Sequence, residues 1–297
     1  MDAGASSPLL GSGFALGAAF LWAVAALLWN RLGREVSAAA MNLGKGVMAL
    51  AFLALTQAAV GLAPLSPRTW LVLGLSGLCG ITLGDTLFFL SLARLGPRRS
   101  LLLNALIPVA ASLLAMAFLH ERLAARGWAG AALTLGGVTW VMREREPEAA
   151  DGGSWRAGIG YGLGSVLCCA VAVLLSKLGL AEAPPLQASF VRLLVGTAGL
   201  VVVVSAQGGL RRQTLPLREG RLFAVLAVAS FFGTYLGIWF SLLALRYTTV
   251  TLQVILTTTS PIFVLPLAAV FLGERISARA VLGAAVAVGG VALLMTG

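Results

Sequence analysis

The chain has 297 residues, 59% of them hydrophobic and 11% charged, with a formal net charge of +10 at pH 7. A soluble domain carries about a quarter charged residues, so this composition excludes one and implies an integral membrane protein with several spans. The positive charge does not imply nucleic acid, because the Lys and Arg residues fall almost entirely in short breaks between apolar runs and form no basic stripe interleaved with aromatics.

Residues 1–12 carry neither a basic segment nor a cleavage signal, so the first apolar run is expected to act as an uncleaved signal. Ten apolar runs follow, at 13–31, 38–60, 70–93, 99–119, 126–142, 158–178, 187–206, 222–245, 248–271 and 278–296. Each is long enough to cross a bilayer as a helix. The breaks carry turn chemistry at Pro64 and Pro67, Gly96-Pro97, Pro184-Pro185 and Gly208-Gly209. The one hydrophilic stretch runs from Arg143 to Arg156. The expected organisation is a single integral membrane domain over 1–297, with repeat 1 at 13–142, a linker at 143–157 and repeat 2 at 158–297.

The repeats are read from residues in register. Adding 153 takes Gly80, Gly84, Pro108, Glu121-Arg122 and Gly136-Gly137 to Gly233, Gly237, Pro261, Glu274-Arg275 and Gly289-Gly290. Nearer each start the offset is 147, which takes Gly13 and Gly17 to Gly160 and Gly164, and Lys45 to Arg192. Five spans per copy force the second copy to enter the membrane from the opposite side. The basic residues agree. In the first copy they favour the odd-numbered loops (Arg31, Arg34, Arg94, Arg98, Arg99), and in the second the bias is reversed, onto Arg211, Arg212, Arg218, Arg221, Arg275 and Arg279. Over the chain one side holds 14 Lys and Arg and the other five, and the positive-inside rule then places both termini outside the cytoplasm.

Three strongly charged residues lie well inside the runs: Lys45, Asp85 and Arg192. An ionised side chain in hydrocarbon costs about 2.5–3.5 kcal/mol on insertion scales, so each needs a partner or a wet cavity. Lys45 and Arg192 are repeat equivalents, and they are either structural cations or anchors for a substrate carboxylate. Asp85 has no acidic counterpart, its equivalent being Ile238. It is either the partner of a cation or a proton carrier, since apolar surroundings raise a carboxyl pKa. Pro108 and Pro261 fall mid-span, and each frees the carbonyl four residues earlier, at Asn104 and Thr257. They are read as hinges. Gln253 lies one turn before Thr257, in a polar run that suits a lined cavity. Gly80, Gly84, Gly233 and Gly237 are read as helix-packing positions. Trp22, Tyr235 and Trp239 sit mid-span, with Phe88 and Phe89, and either line a pocket or pack in the core.

Cys79, Cys168 and Cys169 lie within apolar runs without metal-ligand spacing, so neither a disulfide nor a metal site is expected. Gly74-Leu75-Ser76-Gly77 resembles an intramembrane serine protease motif, but the one histidine, His120, lies at a span end. Leu83-Gly84-Asp85 falls short of an aspartyl protease motif because Thr82 stands where glycine is needed. There is no P-loop. The sequence therefore points away from an enzyme, and no catalytic residue or cofactor is assigned.

Each half ends in a proline-bearing span, a Glu-Arg pair and a glycine-rich span: Pro108, His120-Glu121-Arg122, Gly136-Gly137, then Pro261, Gly273-Glu274-Arg275, Gly289-Gly290. With Ala244-Leu245-Arg246-Tyr247-Thr248 before the ninth span, the chain resembles a ten-span EamA-type member of the drug/metabolite transporter superfamily, and among these the bacterial aromatic amino-acid exporters. The resemblance implies an all-α membrane protein of ten transmembrane helices in two inverted five-helix repeats. It implies a secondary transporter in the bacterial inner membrane, exporting amino acids, drugs or other metabolites by alternating access. Its partners would be a small-molecule substrate and the lipid bilayer, with proton coupling left open and no oligomeric state implied. Lys45 or Arg192 would hold a substrate carboxylate, Asp85 or Asn104 an ammonium, and the aromatics a side chain. Spans 1–4 and 6–9 would surround the cavity, with spans 5 and 10 peripheral.

Overall fold

The computed structural model describes residues 7–32, 35–36, 38–104, 106–122, 124–142, 155–206, 219–272 and 278–295. The linker over 143–154, Gly208-Gly209, Gly273-Glu274-Arg275 and the side chains of Phe89 and Pro261 lie outside the described residues. All regular structure described is helical. Repeat 1 holds Pro8–Leu32, Ala38–Val60, Pro67–Gly77, a π-helical segment Leu78–Gly84, Asp85–Asn104, Ile107–Phe118 and Ala125–Met142. Repeat 2 holds Trp155–Gly179, Pro185–Ala206, Gly220–Ser230, a π-helical segment Phe231–Leu236, Gly237–Tyr247, Val250–Thr257, Ser260–Leu272 and Ala278–Met295. Among the described residues, seven stretches are long and apolar enough to cross a membrane, and Ile107–Phe118 and Val281–Leu293 are shorter apolar helices. Leu55, Phe118, Val202, Val270 and Phe271 are each about two-thirds or more exposed. Such a belt of apolar side chains is stable against lipid rather than water.

The repeats interlock by a swap. A Cβ on Gly80 would lie 3.0 Å from Ala172 Cβ, and one on Gly84 3.0 Å from Cys169 Sγ. In the other copy, Gly233 would meet Ala25 Cβ at 2.5 Å and Gly237 would meet Trp22 Nε1 at 2.5 Å. The 153 offset relates the glycines and the 147 offset relates Ala25 to Ala172 and Trp22 to Cys169. Each third span therefore packs on the other copy's first span through equivalent residues, as a two-fold axis between inverted repeats requires. Span 1 presents a nearly continuous small-residue stripe: Ala15, Ala18, Ala19, Ala23 and Ala25 are all buried. It thus forms the spine against which repeat 2 packs.

Spans 5 and 10 form a separate pair. A Cβ on Gly137 would lie 2.6 Å from Ala287 N, and one on Gly290 2.5 Å from Thr134 N. These too are repeat-equivalent contacts. Trp140, Val281, Leu282 and Val288 point outward, so the pair is peripheral to the other eight spans.

Two features depart from the sequence reading. Helical turns continue over Asp85–Asn104, through the expected break at Gly96-Pro97. Yet a Cβ on Gly162 would lie 2.4 Å from Leu103 Cδ1 and 2.9 Å from Ser91 Oγ. In a straight helix those two residues stand about 18 Å apart. The chain therefore doubles back between them, and spans 3 and 4 remain antiparallel. The second departure is at the prolines. Span 4 is interrupted between Asn104 and Ile107, and span 9 between Thr257 and Ser260. Pro108 sits in the first turn of a new helix, where a missing N–H costs nothing. It restarts a helix rather than kinking a continuous one.

The seam of spans 5 and 10 gives a direct test. Gly137→Leu should lower the thermal midpoint in detergent, at a cost of about 1–3 kcal/mol from overpacking. Gly136→Leu should leave it unchanged, because nothing lies within 4 Å of that Cβ position. Equal destabilisation by both would contradict the close approach.

Candidate functional site

The polar groups at mid-depth gather around the π-helical turn of span 3. Such a turn has a wider backbone loop than an α-turn and recurs at functional sites. It ends at Gly84, so Asp85 opens the following helix. From span 2, Lys45 Nζ donates to Asp85 Oδ2 at 2.9 Å, with side chains 24% and 31% exposed. From span 7, Arg192 lies across the same segment. Its carbonyl oxygen would be 2.1 Å from a Cβ on Gly77, and its Nη2 3.7 Å from one on Gly80. Its Nε is buried without a hydrogen-bond partner among the described residues. Arg192 is enclosed by protein but keeps accessible surface. Cys169 lies within electrostatic range of both Asp85 and Arg192. The two equivalent cations therefore differ in state: Lys45 is paired, and no carboxylate partner of Arg192 appears among the described residues.

The π-turns leave carbonyls for other spans to satisfy. Trp22 Nε1 donates to Gly233 O at 2.8 Å, and Ser165 Oγ donates to Gly84 O at 2.8 Å. Thr82 Oγ1 donates to Gly196 O at 2.8 Å. Trp22 is thus a tie between spans 1 and 8. Ser76, from the serine-protease-like motif, donates to Ala172 O at 2.6 Å and has Ser176 Oγ at 2.9 Å rather than a base.

A second cluster is aromatic. Tyr235 OH shares a 2.8 Å hydrogen bond with Thr56 Oγ1. The Tyr235 ring stands 6.0 Å from Trp239, 5.9 Å from Phe52 and 5.3 Å from Phe231. The same packed group reaches Leu193, next to Arg192, and Ile238. The remaining expected residues sit at the breaks of spans 4 and 9. Asn104 Oδ1 is buried without a partner among the described residues. Gln253 Nε2 donates to Ser241 Oγ at 2.8 Å, while its Oε1 is unpartnered among them. Thr257 Oγ1 turns back onto Gln253 O and Val254 O of its own helix. No described hydrogen bond joins these three to Lys45, Asp85 or Arg192. An apolar cavity of about 80 Å³ opens elsewhere, at the seam of spans 5 and 10, lined by Gly136, Gly137, Trp140, Leu282, Gly283 and Val286. None of the expected site residues lines it.

Sequence reading missed Thr56, Phe52, Ser165 and Cys169. Cys169 was findable, because the 147 offset makes it the equivalent of Trp22. The others carry no signal of their own.

The EamA-like transporter family model matches residues 9–143 and again residues 156–296. None of the curated proteins compared with the chain matches it. Among 28 matching chains of solved structures, one titled "Crystal structure of protein" has a TM-score of 0.80 over 95% of each chain at 18% identity, which shows a shared fold.

The ion pair predicts a simple cycle. Asp85→Asn strands Lys45 beside an unpaired amide and should cost about 1–3 kcal/mol, less than for a fully buried pair because both side chains keep some exposure. Adding Lys45→Met to Asp85→Asn should recover much of that loss. Thermal unfolding in detergent reads both, and a double variant no more stable than Asp85→Asn would show that the two groups are not coupled.

Proposed function

This chain belongs to the EamA-like transporter family, and we propose that it is a secondary carrier exporting small zwitterionic metabolites, amino acids including aromatic ones foremost, by alternating access across a bacterial inner membrane. The observation that carries the reading is Arg192: a guanidinium enclosed by protein with its Nε unpartnered among the described residues, beside a ready-made ion pair. A guanidinium nitrogen buried without a partner is costly, and a ligand carboxylate that reached it would offset that cost with charge-assisted, bidentate hydrogen bonds. The substrate ammonium then competes with Lys45 for Asp85. That exchange frees Lys45, whose side chain is 24% exposed and so can be solvated by water once it leaves Asp85. Asn104 Oδ1 is the alternative acceptor for the ammonium. Tyr235, Trp239 and Phe52 offer a surface for a flat or apolar side chain.

The moving parts follow from the backbone. The interruptions at Asn104–Ile107 and Thr257–Ser260, and the π-turns of spans 3 and 8, are places where helical hydrogen bonding is already broken or loosened. Bending there costs less than in a continuous helix. Without a P-loop in the sequence, transport is driven by a gradient of substrate or of protons.

The aromatic cluster with Asp85 favours a second reading, a carrier of cationic lipophilic drugs. The two readings part on single variants. For an amino-acid carrier, Arg192→Gln should raise KM by about 10–100-fold, the scale of one or two charge-assisted hydrogen bonds. Lys45→Met should do less. For a drug carrier, Arg192→Gln should be silent and Asp85→Asn should abolish binding. The assay is counterflow in proteoliposomes with a panel of labelled amino acids, with and without a pH gradient. No counterflow across the panel sinks the amino-acid reading, and rates indifferent to the gradient sink proton drive. Pro108→Ala and Pro261→Ala, which let helical turns close over the interruptions, should slow turnover more than they weaken binding. An equal loss of both would contradict a hinge.

A further inference from the structure

We infer that Glu121 and Lys177 form a latch that holds shut the membrane face bearing loops 2, 4, 6 and 8, and that this face opens only when the latch lets go. The inference rests on the alternating-access reading above. Its parts come from the ends of spans 4 and 6, and both grip the turn between spans 8 and 9. After Leu119, the chain leaves span 4 through His120, whose φ of 54° is left-handed. Glu121 N donates back to Ala115 O at 3.3 Å. That is a helix-terminating motif with His where Gly is usual, and it swings the Glu121 carboxylate sideways. The carboxylate accepts from Val250 N at 2.7 Å and from Thr251 N and Thr251 Oγ1 at 3.1 Å. Those are open donors of the first turn of span 9, where a negative charge also meets the helix dipole.

Lys177 acts on the other end of the same turn. Its ammonium donates to Leu245 O and, at 2.6 Å, to Thr248 O, the carbonyls that close span 8. Glu121 and Lys177 are within electrostatic range of each other. The turn is thus held by an anion on its donors and a cation on its acceptors. The Glu121 contact crosses from repeat 1 to repeat 2.

Loops 2 and 6 are tied across the repeats on the same face. Gln187 donates to Ala63 O at 2.8 Å and accepts from Ala63 N at 3.1 Å. Glu182 accepts from Ser66 Oγ at 2.6 Å and from Thr69 Oγ1. Those hydrogen bonds hold the Glu182 carboxyl below the usual carboxylate range. The Ser66 tie is exposed, and the Gln187 tie joins a side chain to one loop residue. The Glu121 contact adds three charge-assisted bonds to one helix start, so it is the one whose release frees span 9 from span 4.

The latch acts through the spans that move, so Glu121 and Lys177 are positioning residues. The test reads accessibility in the full-length protein in detergent, where a water-soluble maleimide reaches both faces. In a Cys79→Ala, Cys168→Ala, Cys169→Ala background, Val254→Cys reports on the latched face. Val254 is 4% exposed and packs in the cluster that contains Ala111 and Ala115 of span 4. Leu226→Cys reports on the opposite face, where Leu226 is buried with Leu32 and Val36. Glu121→Gln and Lys177→Met should each speed labelling at position 254 by at least about ten-fold, the scale of one lost charge-assisted bond. Glu121→Asp, which keeps the charge, should lie between parent and Glu121→Gln. Unchanged labelling at 254 in both variants overturns the latch, including where the thermal midpoint falls, since that marks a merely structural contact. Faster labelling at 254 with slower labelling at 226 supports the latch and the alternation together. Faster labelling at 254 with no change at 226 supports the latch and removes the alternating-access reading beneath it.

Discussion

Everything in this fold depends on how closely the third span of each repeat approaches the first span of the other. Gly233 and Gly237 leave no space for a Cβ against Ala25 and Trp22, and a Cβ on Gly80 or Gly84 would lie 3.0 Å from Ala172 or Cys169, so those neighbours would have to give way slightly. In lipid, hydrophobic burial contributes little to helix association. Close van der Waals contact and satisfied backbone groups must do the holding. The same glycines lie in or beside the two π-turns, whose carbonyls find donors on the partner span, Trp22 for Gly233 and Ser165 for Gly84. Packing and hydrogen bonding are thus concentrated at the same two crossings. This arrangement makes the crossings firm.

On this symmetric frame the charges are not symmetric. Lys45 and Arg192 occupy equivalent places, but Asp85 faces Ile238 across the repeat relation. One carboxylate serves two cations, and geometry gives it to Lys45. Arg192 is left with an Nε that meets no partner among the described residues. A purely structural ion pair needs only one cation. A second one costs stability unless something else supplies the counter-charge, which is the physical ground of the proposal that a ligand carboxylate binds there.

Much of the architecture was legible in the sequence, for reasons that can be named. Lipid imposes a length and a polarity on each crossing, so ten runs separated by turn residues read directly as spans. Duplication leaves residues in register, so the swapped glycine contacts follow from two offsets. The cost of burying charge flags Lys45, Asp85 and Arg192 whatever their neighbours. What was not legible depends on contacts between distant residues. A π-turn is one extra residue in a hydrogen-bond ladder and has no composition of its own. Thr56 is an ordinary threonine about one turn from the end of span 2 until Tyr235 is placed against it. Pro108 reads as a kink because proline removes a bond, and only the structure shows the helix already broken at 104–107. Glu121 was visible as half of a repeated Glu-Arg pair, but its partners are more than a hundred residues away.

The latch and the polar centre sit at different depths, and this separation bears on how the two communicate. The span 9 helix that begins under Glu121 ends at Thr257, beside its interruption. Gln253, in between, is bonded to Ser241 of span 8, so Val250–Thr257 and Gly237–Tyr247 are joined at both the turn and mid-helix. Tyr235 lies in the π-turn of span 8 and Trp239 in the helix after it, so in the proposed mechanism a shift of those rings on a bound ligand would reach the turn that Glu121 and Lys177 hold through the Gly237–Tyr247 helix. In that mechanism this helix would be the route from the rings to the latch. Its far end is fixed by a few charged bonds that a small rotation of the helix start would misalign together.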